Sequence, residues 1–425
     1  MIQTSRAKMH VAMLVLSLVA LGLVTGCADP AMQAQFEQMV TTARQLEAAR
    51  GVESGNRLLV QGTDGNLYTV RPDGTDRLAI TTDASPRRQY LQPTWSPSGE
   101  QVAYATVDSS NGAAQSALVV SRFNGLATRR YPTPFAPFYI HWSPDEARLA
   151  YLSNWRGLNE QTIALRLLDL QEQAGEITTL AEGQPLYFSW SPDGTRLLAH
   201  IGNERLEFRA VNGESQALTL TAAGFPAPQW SGDGTRLIYA LGDETGRRLV
   251  MTDPDGSALT ELTTYRETIA FGLSPDGARV AYIITPRGVG TAAFGALYVV
   301  DANGGRTVEI TDVPVFAFFW SPNGENLAYL TLDNSAGTLQ LRWNVWDGQR
   351  TRAYATMVPS RTFLQGYLAF FDQYTRSMTP WSPDSSAFAY AAVEPSRGPG
   401  IYVQRLEDDA PVRVGQGVYV AWSPR

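Results

Sequence analysis

Eight copies of one short motif, the last cut off by the end of the chain, constrain this sequence more than any other feature. An intact copy reads Trp190-Ser191-Pro192-Asp193-Gly194-Thr195-Arg196-Leu197-Leu198. Related cores start at Trp95, Trp142, Trp230, Leu273, Trp320 and Trp381, and the chain stops at Trp422-Ser423-Pro424-Arg425. The missing remainder, Gly55-Asn56-Arg57-Leu58-Leu59-Val60, stands near the other end. A tandem array whose last unit is completed by its first segment is expected to form a closed ring, which removes the sheet edges that pair with other chains.

The steps between copies are 47, 48, 40, 43, 47, 61 and 41 residues. Periods of this length, with short alternating strands rather than apolar residues at i, i+3 and i+4, predict one four-stranded propeller blade per unit. Ser-Pro-Asp-Gly is a tight-turn sequence: proline presets its backbone angle, aspartate bonds back to the local backbone, and glycine accepts a positive φ. The strand before the turn carries Trp, able to bury roughly 150–250 Å² between neighbouring blades. Strands such as Arg148-Leu-Ala-Tyr151 follow it, and Tyr recurs nine residues after the Trp position at Tyr104, Tyr151, Tyr239, Tyr282, Tyr329 and Tyr390. These aromatics are read as packing between blades. The expected class is therefore all-β, a closed β-propeller of eight four-stranded blades over residues 55–425. Seven is the alternative if the irregular 320–380 stretch is arranged differently. Residues 416–422 supply the innermost strand of the closing blade, and 56–63, 66–71 and 76–82 supply the other three.

These repeats resemble the WD-like propeller repeats of the TolB family, whose units also run Trp-Ser-Pro-Asp-Gly into an apolar strand ending Ala-Tyr or Ala-Phe. The resemblance covers about residues 55–425 and implies a blade type. It implies no single function, because the same blade serves translocation proteins, peptidase propellers and others. TolB itself resembles a six-bladed propeller with an α/β domain in front, whereas this chain has eight motif copies and no room for that domain.

The N-terminus reads as a secretion signal over residues 1–26: Arg6 and Lys8, then an apolar run from Val11 to Val24, too short for a convincing span. Val24-Thr25-Gly26-Cys27 resembles the bacterial lipobox, which implies lipidation of Cys27, the single cysteine of the chain. A diacylglycerol contributes two acyl chains at about 0.8 kcal/mol per buried CH₂, enough for stable anchoring to a membrane outside the cytoplasm. Residues 27–54 then form a tether with a helix: Asp29 is the N-cap, Pro30 the first helical residue, and Gly51 the stop. Met32, Phe36, Met39, Val40, Ala43 and Leu46 make its apolar stripe.

Composition excludes much chemistry. Lys8 is the sole lysine and leaves with the signal, which removes Schiff-base, Walker-type and lysine-nucleophile chemistry. No Gly-x-Ser-x-Gly elbow is present. Only His141 and His200 remain in the mature chain for a triad or a histidine metal site, and no metal or cofactor is expected. His141, just before Trp142, is the candidate for the channel wall, and His200 has a packing or surface role. The aspartates Asp145, Asp193, Asp233, Asp276 and Asp384 occupy turns, although paired acids would in principle suit a glycosidase. Thr252-Asp253-Pro254-Asp255-Gly256 lacks the other ligands of a calcium loop and is read as a turn. The formal charge of −7, or −9 without Arg6 and Lys8, comes with no basic stripe, so no nucleic-acid partner is expected. The sequence sets no oligomeric state.

The unit from Trp320 is about fifteen residues longer than its neighbours, and the surplus holds Phe363, Tyr367, Phe370, Phe371 and Tyr374 at helical spacing. This insert is expected on the face opposite the Ser-Pro-Asp-Gly turns. There it is either a flap or channel plug, or a partner-binding patch, with Phe135 and Phe138 of the Pro-rich 131–138 segment on the same rim. The functional expectation is a non-catalytic scaffold for a protein or peptide in the envelope. Recognition of a glycan or small ligand in the channel is the alternative, and a carboxylate glycosidase the third.

Overall fold

A computed structural model describes residues 53–425 apart from 157–160, 172–174, 204, 219–221, 245, 287–293, 334–339 and 376. The expected signal segment, Cys27 and the tether helix lie outside the described residues.

The described chain is mostly β, arranged in antiparallel sheets that follow one another in sequence. The first complete sheet runs Arg88–Trp95, Gln101–Asp108, Gln115–Arg122 and Arg129–Thr133. The next runs Pro137–Trp142, Arg148–Arg156, Gln161–Asp169 and Ile177–Gly183. Two more begin at Leu186–Trp190 and Gln229–Trp230. The long strand Thr307–Trp320 ends the sheet that began at Ile269–Leu273 and starts its successor, so seven strands join into one sheet. The last sheet contains Ala387–Glu394, Gly398–Arg405 and Val412–Gln416, with Trp381 adding a bridge to Phe388.

The turn motif explains why each sheet starts as it does. Within it the Ser hydroxyl donates to the Asp carboxylate, as in Ser191 to Asp193 (2.6 Å) and Ser274 to Asp276 (2.5 Å). The same oxygen accepts the N–H that opens the second strand, as from Arg279 at 3.0 Å. The fourth residue needs a left-handed backbone: Gly194 has φ 69°, and Glu146 and Ser385 adopt 58° and 61° where other copies have glycine.

The chain ends assemble this motif across the break. Tyr419–Trp422 pairs with Leu58–Gln61 in antiparallel register, Trp422 opposite Leu58, within a sheet that continues to Leu67–Val70 and Leu78–Ala79. Arg57 N–H donates to Ser423 Oγ at 2.9 Å, and Ser423 N–H to Arg57 O at 2.8 Å. Arg57 thus makes the bonds that Arg148 and Arg279 make inside continuous turns.

Tryptophans hold several sheets to their predecessors. The indole N–H of Trp190 donates to His141 O (3.3 Å), that of Trp320 to Gly272 O (3.0 Å) and that of Trp381 to Phe319 O (3.0 Å). In each case the acceptor directly precedes the motif's first residue in the previous sheet. Trp95 makes the same bond to Ala421 O at 3.3 Å, reaching across the chain ends. The six recurring tyrosines are all buried, at 4% exposure or less, so they serve packing rather than a carbohydrate-stacking platform.

Candidate functional site

The insert between Met357 and Trp381 is where the inner strands of the sheets meet. Its sequence breaks into three short pieces rather than the single helix that the spacing predicts. α1 is Arg361–Gly366, a 3₁₀ turn covers Leu368–Phe370, and α2 is Phe371–Tyr374. Ser360 caps α1, its hydroxyl accepting the Phe363 N–H at 3.1 Å, as an N-cap serine should. Gly366 and the segment after it stop the helix before its aromatic stripe can run on.

Those aromatics point into the protein. Phe363, Tyr367, Phe371 and Tyr374 are 3%, 5%, 5% and 8% exposed, which corrects the expectation that they form an exposed partner-binding patch. Burial was the stronger demand: the Tyr367 ring stacks on Tyr419 at 4.2 Å, and Phe371 meets Phe318 edge-on at 5.0 Å. Only Phe370 of the five faces solvent, at 48%. Phe135 and Phe138 are half-buried, and Phe135 rests edge-on against Trp155.

The register three residues before each motif start supplies several of the contacts to the insert. Those positions are Gln92, Tyr139, Tyr187, Ala227, Ala270, Ala317, Met378 and Tyr419. The Tyr139 hydroxyl donates to Gln373 O (2.7 Å), and Tyr187 reaches the same carbonyl at 3.5 Å. The Tyr374 hydroxyl donates to Gln92 Oε1 at 3.0 Å, while Tyr419 supplies the stacking surface. The Ala227 N–H bonds to Asp372. α2 lies against the strands that carry Ala270 and Ala317. Three consecutive alanines thus leave room on one side, and three tyrosines and a glutamine reach in from the other. Gln373 O sits at the C-terminal end of a helical turn, where carbonyls lack partners within the helix, and the tyrosine hydroxyls satisfy it.

Two of these positions are strained for the purpose. Gln92 and Tyr139 have φ of 54° and 49°, and both sit at bulges in their inner strands. A bulge turns a side chain away from its regular direction, here toward the insert.

Asp372 is the group that sequence reading missed. It is the only acid between Arg361 and Thr379, a signal that was visible but unremarkable without its surroundings. Asp372 is half-buried. Burial raises it to about 6, against the lowering effect of N–H groups from Ala227, Gln373 and itself.

The remaining candidates are committed to structure. The turn aspartates are held in the ionised form: bonds from Ser231 and Thr235 bring Asp233 down to about 2, and Ser191 lowers Asp193. A catalytic acid needs the opposite shift. Asp253 and Asp255 close a turn with Ser257, the Asp253 N–H donating to Ser257 O at 2.9 Å. His200 is buried, its Nδ1 lies 3.2 Å from Pro226 O, and desolvation lowers it to about 4. His141 is half-buried between the rings of Tyr139 and Phe188, at 6.4 and 6.3 Å. Among the described residues no group of three or more His, Cys, Asp or Glu side chains is placed to hold a metal.

No protein-family model matches the sequence, and no curated protein matches it in sequence. Solved structures do resemble it in fold. The dihydro-heme d1 dehydrogenase NirN aligns with 86% of this chain and 74% of its own at 13% identity, TM-score 0.56. The β-propeller domain of the Trilobed protease from Pyrococcus furiosus aligns with 78% of this chain and 98% of its own, at 12% identity and TM-score 0.47. TolB from Acinetobacter baumannii aligns with 66% of this chain and 69% of its own, at 18% identity and TM-score 0.36. The fold is a β-propeller.

Proposed function

We propose that this chain is a membrane-anchored extracytoplasmic lipoprotein, tethered through Cys27, whose closed eight-bladed propeller is a non-catalytic scaffold for a protein partner. The count rests on eight motif copies and on the joining of Trp422-Ser423 to Arg57. Closure rests also on the Trp95 bond to Ala421, which repeats across the chain ends the link seen between successive sheets. The anchor rests on the lipobox alone.

One observation carries the binding reading. The insert occupies the place where the inner strands converge, so that end of the propeller offers a covered surface rather than an open pocket. Phe370 stands out from that cover, and the half-buried Phe135 and Phe138 belong to the same end of the sheets. An exposed aromatic among packed neighbours suits a protein contact. A glycan-binding channel needs room where the insert stands, and a carboxylate glycosidase needs a second acid beside Asp372.

The test is affinity capture of the lipidated protein from its own envelope, followed by binding of the purified partner. Saturable binding that Phe370→Ser weakens at least tenfold, with thermal stability unchanged, supports the proposal. No partner, or equal affinity in the variant, removes it. Cys27→Ser should release the protein into the soluble extracytoplasmic fraction; retention in the membrane would refute the anchor.

A further inference from the structure

We propose that the cleft between the sheet that joins the chain ends and the last sheet binds a free α-amino acid with an aliphatic side chain, its carboxylate on Arg77 and its ammonium on Asp64. The cleft is lined by residues outside the insert and does not involve the protein partner proposed above.

The cleft has a volume of about 390 Å³, within the usual range of small-molecule sites. Leu58–Gln61 and Leu67–Val70 give it Val60 and Val70, and the last sheet gives it Ile401 and Val414. Val60, Val70 and Ile401 are buried, and with Val414 they form an aliphatic floor shared by the two sheets. Gly415 keeps the space above that floor open. It stands opposite Ile401, where the matching places beside the bulges of two other sheets carry Ala181 and Thr263. A Cβ at 415 would meet no heavy atom within 4 Å.

One tyrosine arranges the charges. Tyr68 is half-buried in the cleft wall, and the Arg77 guanidinium lies 3.5 Å from its ring centroid. A stacked guanidinium keeps its N–H groups in plane and directed past the ring, where they can take a carboxylate in a bidentate pair. At the edge of the ring the Tyr68 hydroxyl donates to Asp64, which also accepts the Asn66 N–H and the Asn66 side-chain amide, each at 3.1 Å. These bonds leave the carboxylate capacity for a further donor. Burial raises Asp64, but the bonds from Tyr68 and Asn66 outweigh it and hold the group below its usual range, so it is ionised at neutral pH. Cation and anion thus flank one ring, a span that a zwitterion with both charged groups on a single carbon can bridge. Each charge opposes a ligand that carries only its own sign, so a carboxylate or an ammonium alone is disfavoured. The aliphatic floor then selects apolar side chains.

Calorimetric titration of the full mature chain tests this with L-leucine, L-isoleucine and L-valine. Beside them stand 4-methylpentanoate, isopentylamine and glycine, which lack the ammonium, the carboxylate and the aliphatic side chain of leucine. At least one of the three amino acids should bind saturably, and each truncated analogue at least about tenfold more weakly. Arg77→Gln and Asp64→Asn should each weaken that amino acid about tenfold, and Gly415→Leu should abolish its binding by filling the cleft, all with thermal stability unchanged. Arg77 and Asp64 are exposed, so their variants keep the fold and decide the matter even where Gly415→Leu does not fold. Absence of saturable heat from all three amino acids overturns the proposal. So does an analogue that binds as tightly as the amino acid, or wild-type affinity in Arg77→Gln or Asp64→Asn.

Discussion

Removal of one hydroxyl tests whether the chain ends behave as an uninterrupted turn. Ser423 is fully buried, its Oγ accepting the Arg57 N–H at 2.9 Å and donating to Arg425 O at 2.8 Å. In Ser423→Ala the Arg57 N–H, on a fully buried residue, loses this acceptor, and an unsatisfied buried donor costs about 1–3 kcal/mol. Ser274 is the internal control: its Oγ accepts the Arg279 N–H at 3.0 Å and donates to Asp276 at 2.5 Å, within a continuous stretch of chain. If the seam is as well formed as the other turns, both variants lose similar stability. A ring of this size shifts its Tm by roughly 1–1.5 °C per kcal/mol, so each should melt about 1–4 °C lower by calorimetry or circular dichroism at pH 7. The reasoning fails if Ser423→Ala melts like the wild type while Ser274→Ala shows the full loss. That result would mean that the ends fray and that the 2.9 Å bond contributes nothing to holding them.

Other consequences follow from single contacts. Trp381→Ala leaves a cavity and removes the donor to Phe319 O, and should cost about 3–5 kcal/mol in urea unfolding; a loss below about 1 kcal/mol would mean that the sheets do not depend on this ring. His200, lowered to about 4 by burial, is neutral in the fold but charges in the unfolded chain, so stability should fall as pH drops from about 6.5 to 4. That term is on the order of 3 kcal/mol and should vanish from the pH profile of His200→Gln. Phe370→Ser, at an exposed position, should change stability by less than about 0.5 kcal/mol, and a larger loss would assign the ring to packing rather than binding.

Much of the site was legible once its register was known. The eight positions three residues before each motif start, with tyrosine at 139, 187 and 419 and alanine at 227, 270 and 317, are plain in the sequence. Nothing local marks them as a set, because successive positions are 40 to 61 residues apart and only neighbouring sheets bring them to one level. The helical spacing of Phe363, Tyr367, Phe371 and Tyr374 flagged a special segment but left open whether its aromatics pack inward or meet a partner. An aromatic stripe looks the same whether it faces a partner or the chain's own inner strands.

The sequence by itself determined the repeating sheet, since Trp, Ser, Asp and Gly at fixed spacing carry their own turn bonds and need no distant partner to be recognised. It also determined where the pattern breaks. Tertiary structure alone decided what the break does. Asp372 stood out only when burial raised it to about 6, and Gln92 and Tyr139 gained their roles through bulges with positive φ. Turn chemistry is local and can be read along the chain, whereas burial and the field at one carboxyl belong to everything packed around it.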